Sequence, residues 1–68
     1  MIRGRYKHFK GNEYEVIDVA THTETNEKFV VYKSVDSDKV WIRPYAMFFE
    51  IVDKPEYNYS GPRFTKIS

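Results

Sequence analysis

Five residues stand out for the chemistry that their types and spacing permit: His22, Glu24, Tyr32, Trp41 and Arg43. Trp41 and Arg43 are two apart, so on a strand they project from one face, and the guanidinium can lie on or beside the indole, a contact worth about 0.5–1 kcal/mol in the open. Such a platform suits a flat or extended ligand, and Trp, Tyr and Arg are the side chains that most often dominate binding interfaces. His22 with Glu24 supplies an imidazole and a carboxylate to orient it, the parts of a general base. Adding His8 gives common zinc-ligand types, although the spacing favours no metal. A chain with no cysteine, no Ser in a glycine elbow, no glycine-rich phosphate loop and no framed pair of acids offers no nucleophile or phosphate cradle. An 8.2 kDa fold also has little concavity from which to exclude water. The expectation is a non-catalytic module with no metal and no cofactor, presenting His22, Glu24, Tyr32, Trp41 and Arg43 to a peptide or protein partner. The competing structural account makes Trp41 a cap on a small barrel, pairs Arg43 with Glu24, and leaves His22 donating to a backbone carbonyl.

A second constellation is electrostatic. Arg3, Arg5, Lys7 and Lys10 open the chain with no acid among them, and Glu13, Glu15, Asp18, Glu24 and Glu27 follow with no Lys or Arg. With Tyr6, Phe9 and Tyr14 nearby, the first set has the parts of a nucleic-acid stripe, cations for phosphates and rings for bases. Against this, the net charge is only +1 and the isoelectric point is about 8.0, and adjacent basic and acidic strands neutralise each other across a hairpin. Nucleic-acid binding is therefore the alternative function, and a homo-oligomer formed through the aromatic face is a third, since a small core gains from covering a second surface.

These side chains must be positioned by strands. Phe29 to Pro44, FVVYKSVDSDKVWIRP, reads as two strands joined by a polar turn. If Asp36–Lys39 is the loop, Val35 faces Val40 and Tyr32 faces Arg43. Phe29, Val31, Val35, Val40 and Ile42 then share a face with Lys33, and Val30, Tyr32, Ser34, Trp41 and Arg43 share the other. The aliphatic set reads as core and the second set as exposed.

Upstream, Arg5–Lys10 and Glu13–Thr23 read as strands joined by a Gly11-Asn12 turn, which places Phe9 opposite Tyr14. The second strand is long enough to need a bend or bulge near Asp18. Asn26 is the residue expected in the left-handed region of the next turn. A register that sets His22 beside Val30 puts Ile17, Val19 and Thr21 on the core face and Ala20, His22 and Glu24 on the face of Trp41. Pro44 ends the fourth strand and suits the start of a helical turn over Tyr45–Phe48 that drops Met47 or Phe48 into the core; Phe49–Val52 is a fifth short strand. Met1–Gly4 reads as loose.

The 68 residues make one domain, 1–68, close to the smallest size that folds alone, where roughly 60% of the unfolded surface is buried. Twelve aromatics, 18% of the chain, carry much of that burial. No apolar run follows the basic start and no window approaches a membrane span, so neither a signal peptide nor a membrane segment is expected. A cysteine-free chain fits a reducing cytoplasm. The fold class expected is all-β: a small SH3-like, partly open five-stranded barrel over about 5–52 with one short helical turn before the last strand, and a C-terminal extension, 53–68, partly docked through Arg63–Ile67.

The phrases GRYKHFKGNEYEVIDVATHTET, VVY, VWIRP and MF, with the closing PRF, resemble the bacterial family known as domain of unknown function 1653 over roughly residues 4–64. The resemblance implies a short bacterial domain without an assigned activity. Its pattern stresses Gly4, Tyr6, His8, Phe9, Lys10, Gly11, Tyr14, His22, Glu24, Thr25, Tyr32, Trp41, Arg43, Pro44, Met47 and Phe48. Gly11 in a turn and Met47 and Phe48 in a core explain themselves; His22, Glu24, Trp41 and Arg43 do so less easily.

Overall fold

A computed structural model describes residues 2–68. Seven strands alternate with one helical turn and one 3₁₀ turn: β1 Gly4–His8, β2 Glu13–Thr21, β3 Lys28–Ser34, β4 Val40–Pro44, α1 Tyr45–Phe48, β5 Ile51–Lys54, the 3₁₀ turn Pro55–Tyr57, β6 Tyr59–Pro62 and β7 Phe64–Lys66. Five of the strands form one antiparallel sheet in the order β4-β3-β2-β1-β7, and β5 and β6 form a separate two-stranded ribbon. The fold is mostly β as expected, and the five-stranded sheet does not close, so β4 and β7 remain edges.

Each hairpin differs from the simplest reading in a way that its turn explains. Between β1 and β2 the loop is Phe9-Lys10-Gly11, closed by His8 N–H to Asn12 O and Gly11 N–H to His8 O, both 2.8 Å. Gly11 sits at φ 107°, the positive angle that a three-residue hairpin requires of its last residue. Tyr14 therefore lies opposite Tyr6, not Phe9. Between β3 and β4 the connection is longer than four residues, because Ser34 Oγ accepts from Asp36 N–H and Ser37 Oγ from Lys39 N–H, holding a wider turn. Tyr32 consequently pairs with Trp41 and Val30 with Arg43. That slip of two residues leaves every side chain on its expected face. In β2 the register shifts between Val16 and Asp18, a bulge at Ile17 next to the expected bend. The extra residue reverses the alternation, so Val16 beside Tyr32 and Val19 beside Val30 share one face and Ala20 joins the other beside Phe29. Asn26 adopts φ 62° as expected.

The faces sort as the alternation predicts, but the buried one is the reverse of that expected. Val30 and Tyr32 are buried with Tyr6, Val16, Phe48 and Phe64, while Val35, Val40 and Ile42 of the aliphatic set are exposed. The reason lies outside the hairpin. Pro44 turns the chain into α1, which drops Phe48, not Met47, onto the Tyr32 side, and β7 pairs with β1 so that Phe64 arrives beside His8 on that same side. Phe48 and Phe64 stack with centroids 4.1 Å apart and planes 3° apart, and Tyr6 and Tyr32 meet Phe48 edge-on at 5.4 Å. Aromatic side chains each bury about 150–250 Å², more than the β-branched aliphatics left outside, so the face that gathers the rings becomes the core.

The C-terminal segment belongs to the fold throughout. β6 pairs with β5, β7 pairs with β1, and the fifth strand begins at Ile51 rather than Phe49. Of the Met1–Gly4 stretch expected to be loose, Met1 lies outside the described residues and the rest is tied down: Tyr6 Oη donates to Ile2 O at 2.7 Å, Ile2 packs against the core, and Gly4 is the first residue of β1. Gly4 has φ 139°, and a Cβ there would fall against the carbonyl oxygen of Ser68, whose backbone is held by Arg5 N–H at 3.1 Å. Gly4→Ala is thus expected to cost about 1–3 kcal/mol through strain and loss of the closing contacts, read as a lowered urea midpoint with an unchanged slope.

Candidate functional site

The inverted core moves the proposed face inside the curl of the sheet and leaves its end at the open edge. Tyr32 is buried; its ring meets Tyr14, Trp41, Phe48 and Phe64, and its hydroxyl accepts from Arg43 Nε at 3.3 Å. Trp41, on edge strand β4, is 38% exposed and leans on Tyr14 and Tyr32 at 6.0 Å each. The Arg43 guanidinium lies 5.7 Å above the Phe64 ring. Together Tyr14, Tyr32, Trp41, Ile42 and Arg43 line a cleft of about 350 Å³. Arg43 does not stack on Trp41 in isolation; the two flank Tyr32, which orders both.

His22 and Glu24 are not brought to this cleft. They lie in the β2–β3 turn, where His22 Nδ1 accepts from Glu24 N–H at 3.1 Å and Thr25 N–H at 3.4 Å, and Asn26 N–H donates to His22 O at 2.9 Å. The imidazole therefore caps a turn and accepts backbone protons rather than donating one. The length of β2 separates His22 from His8 at the end of β1. Among the described residues no three His, Asp or Glu side chains gather as metal ligands.

The basic start is divided. Arg3 lies 3.6 Å from Asp18, and Arg5 lies 4.0 Å from Glu13, while Lys7 is directly opposite Glu13 in the β1–β2 ladder. Lys10 alone departs, carried by the hairpin loop to place its ammonium 5.3 Å above the Tyr57 ring.

There it joins residues drawn from four separate stretches of the chain. His8, Lys10, Arg43, Lys54, Arg63 and Glu56 line a second cleft of about 260 Å³, walled by Phe9 and Tyr57. Lys54 ends β5 and Arg63 follows β6, so only the docking of the C-terminal segment could have revealed them. Arg63 is stitched in place from both sides, its carbonyl accepting from Phe9 N–H at 3.1 Å and its N–H donating to Glu50 O at 2.9 Å. Its side chain donates to Glu50 Oε1 at 2.9 Å, and its Nε is buried without a partner. Among the described residues Lys10, Arg43 and Lys54 have no carboxylate within 4.0 Å.

This field acts on His8. Burial pushes the imidazole pKa down from 6.5, and the Lys10, Arg43 and Arg63 charges push it the same way. Its Nδ1 accepts from Lys10 N–H at 3.1 Å, which leaves the proton of the neutral ring on Nε2. Because the folded-state pKa lies below that of the unfolded chain, the unfolded chain takes up the proton first as pH falls. The stability linked to a neutral His8 is present above pH 6.5 and is lost as pH drops through the lower folded value. Melting curves from pH 7.5 to 5 should accordingly show a smaller acid-side decline in His8→Gln than in the wild type; equal declines would contradict the assignment.

Fold and clefts together define a small open-sheet domain with an aromatic rim on one edge and a cationic hollow beside it. The chain belongs to the family described as protein of unknown function (DUF1653), whose model matches residues 4–66. It is similar to a crystal structure of a DUF1653 protein from Bordetella bronchiseptica, with a TM-score of 0.84 and 28% identity, over 98% of this chain and 87% of that one. No curated protein matches the sequence. Among the described residues no helix is long and apolar enough to cross a membrane.

Proposed function

We propose that this domain is a non-catalytic binding module, built on an SH3-like plan, that takes an extended peptide segment of a partner protein along edge strand β4. The observation that carries this reading is the exposure of Val40, Trp41 and Ile42, three successive apolar side chains on a strand with one unpaired side. Edge strands are ordinarily shielded by charge, proline or a covering segment, because their free N–H and C=O groups template further pairing. A peptide strand laid against β4 would satisfy those groups, and alternate side chains would meet the Trp41–Arg43 cleft on one face and Val40 and Ile42 on the other. The cleft takes one side chain, with Arg43 supplying a charge that has no carboxylate within 4.0 Å among the described residues. The curled sheet followed by a helical turn supports the SH3-like plan.

A random ten-residue peptide library selected on the wild-type domain tests the reading. Enriched peptides should bind with micromolar affinity or better and should lose binding to Ile42→Lys, a change at an exposed position that charges the edge. Failure to enrich, or peptides indifferent to Ile42→Lys, would reject it. Concentration-dependent dimerisation abolished by Ile42→Lys would instead assign the edge to a second copy of the chain.

A further inference from the structure

We propose that the hollow lined by His8, Lys10, Arg43, Lys54 and Arg63 is an anion site for the dianionic phosphate of a small phosphate monoester. It differs from the peptide reading in drawing on the β1–β2 loop, Lys54 and Arg63, and the two sites share only Arg43. Three observations converge on it. Four cations face a single lining carboxylate, Glu56, and Glu50 behind Arg63 is the second acid, which leaves an excess of two positive charges. That excess matches a phosphate monoester, which carries about −1.5 to −2 at neutral pH, and exceeds what one carboxylate would offset.

The second observation is the guanidinium of Arg63, a lining residue held by Glu50 whose buried Nε has no partner of its own, so its donors are incompletely satisfied within the fold. A phosphate oxygen is suited to the fork of an arginine whose other arm is already held by Glu50. The third is the state of His8: its Nδ1 is occupied by Lys10 N–H, so the neutral ring offers Nε2–H as a further donor. A site of about 260 Å³ walled by Phe9 and Tyr57 has room for only a small organic body beyond the phosphate, since it falls just below the usual range of ligand clefts.

Like charges held together without a counterion cost stability, so a ligand that relieves them should stabilise the fold. It should also release His8 from the repulsion of Lys10, Arg43 and Arg63, raising its imidazole pKa.

The test is an NMR titration of the wild-type domain at constant ionic strength with sodium sulfate, inorganic phosphate, phenyl phosphate and, as the monoanion control, acetate. Sulfate keeps its double charge across the whole pH range and so separates ligand titration from that of His8. Sulfate and both phosphates are expected to saturate shifts at His8, Lys10 and Arg63, to raise the His8 pKa, and to bind at least tenfold more weakly to Lys10→Ala/Lys54→Ala. Both replaced side chains lack salt bridges, so that variant should melt within a few degrees of the wild type. Tighter binding of phenyl phosphate than of phosphate assigns the site to an organic monoester, and equal binding assigns it to the free ion. Equal shifts with acetate, or sulfate binding undiminished in the double variant, would overturn the proposal. Trp41→Ala should leave this titration unchanged, which separates it from the outcome at the β4 edge.

Discussion

Phe48→Ala is expected to lower the melting temperature by about 12–40 °C. Phe48 has no exposed surface, and its ring is met by Tyr6 at 5.4 Å, Tyr32 at 5.4 Å, Phe49 at 5.0 Å and Phe64 at 4.1 Å. Removing such a ring costs about 3–5 kcal/mol, the transfer of the lost atoms plus the cavity that the four neighbours cannot close. At roughly 0.05–0.15 kcal/mol per residue, a chain of 68 residues holds about 3–10 kcal/mol in all. Each kcal/mol moves the midpoint of so small a domain by about 4–8 °C. The matching control is Ile42→Thr: Ile42 is 61% exposed on the outer face, so its loss should stay within about 0.5 kcal/mol. A large cost at Ile42 with a small one at Phe48 would restore the aliphatic face as the core.

Trp41→Ala has the second largest effect, and it falls on binding more than on folding. With more than a third of its surface already in solvent, Trp41 should contribute about 2 kcal/mol to stability, less than the 3–5 of a fully buried tryptophan. The domain should therefore stay folded at low temperature. For a selected peptide, loss of a central aromatic anchor should cost at least about 2 kcal/mol, a drop in affinity of roughly thirtyfold. Calorimetric titration of wild type and variant with one peptide reads this directly. A variant that binds as the wild type does would remove Trp41 from the site, and the urea midpoint measured alongside shows how much of any loss is unfolding.

The strands, the bulge near Asp18, the left-handed Asn26 and the turn after Pro44 were legible because each follows from local backbone preference. The side-chain sorting of β3 and β4 was legible too, since a slip of two residues in their pairing preserves parity. Which face is buried was not. That choice is made by Phe48 and Phe64, which reach the sheet from 14 or more residues beyond β3, and local alternation carries no record of where they land. A tally of aliphatic residues points to Val31, Val40 and Ile42; the area of the rings overrules it. His22 and Glu24 were joined to Trp41 by an assumed register that the bulge at Ile17 cancels. Lys54 and Arg63 became visible only when β5 and β6 folded back beside the β1–β2 loop. No periodicity in residues 53–68 announces that return, although Pro55, Gly61 and Pro62 mark the turns it uses.

One curled surface thus serves as core through its middle and as a binding rim where β4 is left unpaired. Trp41 is the only tryptophan, so its fluorescence reports on that rim alone. Acrylamide quenching of the free domain should be intermediate between a buried indole and an open one, and saturation with a selected peptide should shift emission to the blue and sharply reduce quenching. An indole already shielded in the free domain, or one whose emission and quenching do not change when the peptide is bound, would contradict the account.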